Sequence, residues 1–175
     1  GVALRLDAAV EGFEETDSSL SVRLEGGERL ETDMVVLALG VVPDTGLAKE
    51  AGLTLGGRGA IVVNDRMETS APDIYAVGDA VQITHAVTGD PAWVPLAGPA
   101  NKQGRIAADN ISGRDSRFDG SQGTSILRVF DMTVAATGLN ERAAEAAGYR
   151  FDKVVTFSPS HATYYPGASN MTIKT

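Results

Sequence analysis

The chain has no cysteine among its 175 residues. That excludes a disulfide framework and any thiol chemistry carried out by these residues alone. No apolar run is long enough to span a bilayer, and no signal peptide is expected at Gly1. Positive charge is in deficit: 15 Lys and Arg against 23 Asp and Glu leave a net charge of −8. A nucleic-acid or anionic-membrane partner is therefore disfavoured. An anionic small molecule is not, because a helix N-terminus with nearby Lys or Arg binds phosphate against the global field. No Gly-x-Gly-x-x-Gly follows a strand pattern. Gly56, Gly57 and Gly59 lie in a turn between short strands and open no helix, so a dinucleotide pyrophosphate loop is missing.

What is present is an ordinary globular composition, 43% hydrophobic, sufficient for a core. Residues 1–40 read as β. Leu20-Ser21-Val22-Arg23-Leu24 alternates apolar and polar, the pattern of a half-buried strand. Gly26 and Gly27 turn the chain back into Arg29-Leu30-Glu31-Thr32. Met34-Val35-Val36-Leu37-Ala38-Leu39 is continuously apolar and predicts a strand buried on both faces, ending at Gly40. Gly40 is either a plain turn residue or a place where a ligand or backbone comes close. A short helix is expected over residues 46–51 with Gly52 as its C′ residue. Residues 53–55 and 61–63 flank the glycine turn. Residues 82–91 form a polar loop containing His85, to which no role is assigned. A helix over residues 98–111 has Pro99 in its first turn. Ala100, Gly104, Ala107, Ala108 and Ile111 give it a narrow face of small residues for packing against a sheet or a cofactor. Strands follow at 125–130 and 133–137, then a helix capped by Asn140 that stops at Gly148, and a strand at 151–158. Val2-Ala3-Leu4-Arg5-Leu6 and Met171-Thr172-Ile173-Lys174-Thr175 are strand-like patterns at the two ends, so a fragment of a longer protein is expected.

The most informative stretch is Thr69-Ser70-Ala71-Pro72-Asp73-Ile74-Tyr75-Ala76-Val77-Gly78-Asp79-Ala80. It reads as a short buried strand delivering one carboxylate at a Gly-Asp turn. Such a carboxylate either caps its own turn or accepts a ligand hydroxyl in a charge-assisted hydrogen bond. The run resembles the second flavin-binding motif of the pyridine nucleotide-disulfide oxidoreductases. Three other stretches extend the resemblance over essentially the whole chain. Residues 34–45, with Val42-Pro43-Asp44-Thr45 after the glycine, resemble the family's exit from its NAD domain. Pro95-Leu96-Ala97-Gly98-Pro99-Ala100-Asn101-Lys102-Gln103-Gly104-Arg105 resembles the flavin helix of its coenzyme A-disulfide reductase and NADH oxidase branch. Ser125 onward resembles the start of that branch's dimerisation domain.

The resemblance implies an α/β (α+β) architecture. It comprises the C-terminal part of an FAD/NAD(P)-binding two-dinucleotide-domain fold and the start of an α+β dimerisation domain. Its expected parts are residues 1–40 (tail of the NAD(P)-binding domain), 41–116 (C-terminal part of the FAD-binding domain) and 121–175 (start of the dimerisation domain). It further implies a cytoplasmic homodimeric flavoenzyme using FAD and NAD(P)H on a small disulfide, persulfide or polysulfide. Gly78, Asp79 and Ala80 would hold the ribityl chain of FAD. Leu96, Ala97 and Gly98 would face the pyrimidine edge of the flavin, with Lys102 and Arg105 adding positive charge; the alternative is an ordinary surface helix. His161-Ala162-Thr163-Tyr164-Tyr165-Pro166-Gly167 resembles the loop of coenzyme A-disulfide, persulfide and polysulfide reductases. There Tyr165, or else Tyr164, would reach the partner subunit's reactive cysteine, and His161 would contact a coenzyme A phosphate. The alternative is that both tyrosines are half-buried packing residues. Because the redox cysteine and glycine loops are absent, the segment alone is expected to be inactive and to bind FAD weakly or not at all. An NADH oxidase of the same fold, and a non-catalytic module for dimerisation, remain open alternatives.

Overall fold

The computed structural model describes residues 2–175; Gly1, the first residue of the expected NAD(P)-domain tail, lies outside them. The chain forms two compact units, the first ending at Val41 and the second running from Val42 to Thr175. The first unit is an antiparallel meander of β1 (Val10–Glu15), β2 (Leu20–Leu24) and β3 (Arg29–Thr32). The strand β2 forms as expected with Val22 and Leu24 buried, but Ser21 on the polar phase is buried too, so the alternation is incomplete; the glycine turn at Gly26 and Gly27 sets the register Val22 to Leu30.

Residues 34–39 depart from the expectation of a strand buried on both faces. They form no strand and lie open, with Val36 76% and Leu39 87% exposed. A strand of this composition is buried only when helices cover both faces of a sheet that contains it. Among the described residues no segment pairs with it. Residues 2–6 also form no strand, for the same reason.

The second unit begins with α1 (Gly46–Glu50). Its end is a Schellman motif: the Gly52 N–H donates to the Lys49 carbonyl and the Leu53 N–H to the Ala48 carbonyl. A 3-10 turn (Gly57–Gly59) leads into β4 (Ile61–Val62), which pairs in parallel with β5 (Val81–Thr84); β6 (Pro91–Ala92) pairs antiparallel with β5. β5 corrects two expectations. The segment before the Gly-Asp turn is not a buried strand but a single bridge, Tyr75 to Glu68, and Val77 is exposed. The buried strand comes after the turn, where a polar loop was expected: Val81 and Ile83 point into the core between Gln82 and Thr84.

α2 (Ala97–Ile111) packs over this sheet. The core is Met67, Val81, Ile83, Ala107 and Phe118, flanked by Ile61, Tyr75, Val94 and Ile106. The buried face of α2 is Gln103, Ala107 and Asn110, spaced i, i+4, i+7. The expected small-residue face is therefore split. Ala107 is buried, whereas Gly104, Ala108 and Ile111 are exposed. Asn110 anchors the helix end: its amide donates to the Ile106, Ser116 and Arg66 carbonyls at 2.9, 2.8 and 3.2 Å.

Two hairpins and a short helix complete the unit. β7 (Ser125–Val129) pairs with β8 (Met132–Ala136), and β9 (Val155–Pro159) with β10 (Asn170–Lys174). The regular strand β9 starts four residues later than the apolar pattern at Phe151 suggests. α3 (Glu141–Ala146) has the expected cap, with Asn140 Oδ1 accepting from the Ala143 N–H at 2.9 Å. Glu141 in its first turn meets Lys153 Nζ at 3.1 Å and Lys174 Nζ at 3.4 Å. The Lys153 contact, with Lys174 adding to it, holds its carboxyl below the ordinary 4.5. A folded-state value depressed in this way contributes stability above the unfolded value, and that stability is lost as pH falls through the folded one. Glu141→Gln should therefore lose less stability than the parent on titration from neutral pH to below about pH 4. Urea unfolding at both pH values checks this; an equal loss in the two proteins would refute it.

Candidate flavin-binding turn and tyrosine loop

Asp79 sits in a 3-10 turn (Gly78–Ala80) inserted between an extended segment and β5. Val77 is extended, and Gly78 takes φ +88, with nothing within 4 Å of where a Cβ would project. Only glycine enters this conformation without strain, and its bare Cα leaves the backbone open to an approaching molecule. The Asp79 carboxylate is exposed and, among the described residues, makes no hydrogen bond; the turn has no side-chain cap. A turn-capping role for Asp79 is thus not realised, and both carboxylate oxygens are free to accept.

The turn's backbone is held on both sides. The Gly78 N–H donates to Gln103 Oε1 at 2.7 Å, and Trp93 Nε1–H donates to the Asp79 carbonyl at 2.6 Å. Gln103 is 1% exposed. Neither residue emerges as important from the sequence alone. The available signal was a polar residue on the buried stripe shared by Ala107 and Asn110, and the only tryptophan in the chain.

Leu96 is the N-cap of α2 and offers no side-chain acceptor. Ala97 and Gly98 are exposed, their N–H groups have no partner among the described residues, and Pro99 has none to satisfy. No acidic residue occupies the first turn. This end of the helix thus keeps its partial positive charge for an external anion. Gln103 lies on the same helix six residues beyond Ala97, a rise of about 9 Å, so α2 bears both on the Asp79 turn and on its own open N-terminus. Lys102 and Arg105 line a hollow with Asp109, Arg117 and Asp119, on the flank of α2.

His161, Tyr164 and Tyr165 belong to a separate element, the loop 160–169 joining β9 and β10. The loop is closed by the Ser160 N–H donating to the Ser169 carbonyl at 2.8 Å and by the Tyr165 N–H donating to the Ala162 carbonyl at 3.0 Å. His161 Nδ1 lies 3.2 Å from Ser160 Oγ. The two tyrosine rings are 4.8 Å apart and tilted by 44°. Tyr164 is 81% and Tyr165 60% exposed, so neither packs on the chain's own core. Among the described residues no hydrogen bond links this loop to the Asp79 turn. Gly40 lies in the first unit with φ +79 and an open Cβ position. Among the described residues no cluster of three or more His, Asp or Glu could hold a metal, and no helix is long and apolar enough to cross a membrane.

These features meet those of known proteins along the whole chain. The family model described as pyridine nucleotide-disulphide oxidoreductase matches residues 1–104. The chain belongs to this family. It is 37% identical over 173 residues to an NAD(P)H sulfur oxidoreductase (CoA-dependent) of Pyrococcus abyssi, covering 99% of this chain and 39% of that protein. It is 31% identical over 154 residues to the coenzyme A disulfide reductase of Staphylococcus haemolyticus, covering 87% of this chain and 34% of that one. Among solved structures, reduced Bacillus anthracis CoADR-RHD superposes with a TM-score of 0.87 at 47% identity, over 96% of this chain and 30% of that one. An NAD-dependent persulfide reductase from A. fulgidus gives a TM-score of 0.86 at 40% identity, over 95% and 31%. The chain thus spans two-fifths or less of the length of these relatives.

Proposed function

We propose that these residues are the middle part of an FAD-dependent NAD(P)H:disulfide oxidoreductase that reduces a coenzyme A disulfide, persulfide or polysulfide. One observation carries this reading. Similarity to an NAD(P)H sulfur oxidoreductase runs through 99% of the chain, so it includes the tyrosine loop as well as the flavin motif. The residues present fit a flavin. Asp79 offers an unpaired carboxylate beside a bare Gly78, suited to a polyol, and the uncapped start of α2 suits the electron-rich edge of the ring. When bound, FAD would supply the two-electron chemistry between nicotinamide and sulfur.

This chain's own residues then have binding and positioning roles. Asp79 accepts from ribityl hydroxyls, with Gly78 and Ala80 forming the turn. Ala97 and Gly98 present N–H groups to the flavin's pyrimidine edge, and Leu96, whose own N–H donates to the Val94 carbonyl at 2.9 Å, lines that edge as the helix N-cap. Tyr165, rather than Tyr164, donates its phenolic hydrogen to a thiolate across a cytoplasmic homodimer, and the exposure of the loop supports such an intersubunit role. His161 would meet a coenzyme A phosphate. The domain parts proposed are 1–40, 41–116 and 121–175, with Gly40 at the exit from the first. The glycine loops and the single cysteine that this chemistry requires are not among the 175 residues and would come from the rest of the protein.

A second reading, NADH oxidase, has support in a Methanocaldococcus jannaschii protein of that name, 35% identical over 148 residues. One experiment separates the two. The full-length protein, given NADH or NADPH with coenzyme A disulfide in air, should release thiol in proportion to nicotinamide consumed. Oxygen uptake that accounts for the oxidation instead would favour the oxidase. Tyr165→Phe should cut the thiol rate at least about tenfold while leaving FAD content unchanged. An unaltered rate would remove Tyr165 from the chemistry.

A further inference from the structure

The Gly78–Ala80 turn carries the binding carboxylate, and its own closure is a single backbone bond, from the Val81 N–H to the Gly78 carbonyl. It has no side-chain cap, and Gly78 occupies a left-handed conformation with open space around it. A glycine-containing turn of this kind samples many backbone states unless other elements restrain it. Two side chains from elsewhere in the unit do so. Gln103, buried in the face of α2, accepts from the Gly78 N–H at 2.7 Å. Trp93, just after β6, donates from its indole to the Asp79 carbonyl at 2.6 Å. The two bonds grip the Val77–Gly78 and Asp79–Ala80 peptide units, which bracket the Gly78 and Asp79 Cα atoms, one through a donor and one through an acceptor. Together they restrain the direction in which the carboxylate leaves the backbone.

The Trp93 ring is itself held. The Arg58 guanidinium lies 5.7 Å from its centroid, a cation–π distance. Arg58 sits in the Gly57–Gly59 turn at φ +57. That turn is tied to β5 by the Gly57 N–H donating to Gln82 Oε1 at 2.9 Å.

We infer that Gln103 and Trp93 are positioning residues for Asp79: they pre-set the carboxylate for its ligand, and Arg58 steadies the indole. This rests on the proposed binding of FAD by Asp79. Pre-organisation of this kind appears as affinity, because the ordering cost is met before the ligand arrives.

The test is a mutant cycle on the full-length holoenzyme, read as the FAD dissociation constant from flavin fluorescence on release. Trp93→Phe keeps the ring and removes only the donor; Gln103→Met keeps the length and removes the acceptor. Each should weaken FAD binding about tenfold, equivalent to about 1.4 kcal/mol. Neither should weaken it further in an Asp79→Asn background, because with the carboxylate gone there is nothing to aim. A merely structural role would show the same loss in both backgrounds, and that result overturns the inference. Wild-type affinity in Trp93→Phe and Gln103→Met, with weakened binding in Asp79→Asn, overturns it too while leaving the role of Asp79 intact. Unchanged affinity in Asp79→Asn removes the FAD-binding reading itself, and the inference with it. A ligand-free readout guards against misfolding: in Gln103→Met apoprotein the Gly78 amide should exchange with solvent at least about tenfold faster while the amides of β5 keep their rates. Unchanged exchange at Gly78 counts against the inference.

Discussion

On the proposed role of Asp79, Asp79→Asn in the full-length protein should weaken FAD binding by about 10- to 150-fold. The estimate follows from the value of a hydrogen bond to a charged acceptor, about 1.5–3 kcal/mol, converted to a ratio of affinities. The usual ambiguity of such a substitution is small here. The Asp79 carboxylate is exposed and has no protein partner among the described residues, so its loss breaks no internal contact. The backbone bonds that hold the turn come from Gln103 and Trp93 and do not involve the carboxylate. The apoprotein should accordingly melt at the parent's temperature, while equilibrium FAD release shifts. Undiminished affinity would mean that the carboxylate faces solvent rather than a polyol.

Gly120→Ala should cost about 3 kcal/mol or more of folding stability. Gly120 has φ +86, and a Cβ there would overlap the Thr84 carbonyl oxygen. That carbonyl also accepts from the Ser121 N–H at 3.1 Å, and the Ser121 carbonyl accepts from the Ala86 N–H at 2.9 Å. The segment after α2 is thus laced onto the end of β5, and the new methyl group would push it off. A left-handed non-glycine residue costs about 1–3 kcal/mol, and each broken hydrogen bond adds about 1 kcal/mol. Gly89→Ala is the matched control. Gly89 also has positive φ (+77), but nothing lies within 4 Å of its Cβ position, so only the conformational part of the cost applies. Urea unfolding of the two variants should separate them clearly; equal losses would show that the contact with Thr84 is soft.

Much of the local structure is legible in the residues because its causes are local. The β2–β3 hairpin follows from alternation plus a pair of glycines, and the ends of α1 and α3 from a glycine one residue past the cap, at Gly52 and Gly148. Asp79 stands out because its neighbours form a specific run, and its position in a Gly-led turn is as expected. What was misread depends on partners distant in sequence. Residues 34–39 have the composition of a central strand, but composition supplies no neighbouring strands. Val81 and Ile83 alternate with polar residues over only four positions, too few to distinguish a strand from a loop until β4 and α2 pack against them. The small residues of α2 mark a face by size, whereas burial follows Gln103, Ala107 and Asn110, the positions that meet the sheet.

The family of this protein, the carboxylate at its Gly-led turn and the places where its helices stop are all legible in short contiguous stretches of the chain. Which side of α2 is buried, and that Gln103 and Trp93 hold the Asp79 turn, follow from packing alone. Those contacts span 25 and 14 residues, and a side chain's partner at such a separation is set by how the sheet and helix pack rather than by any period along the chain.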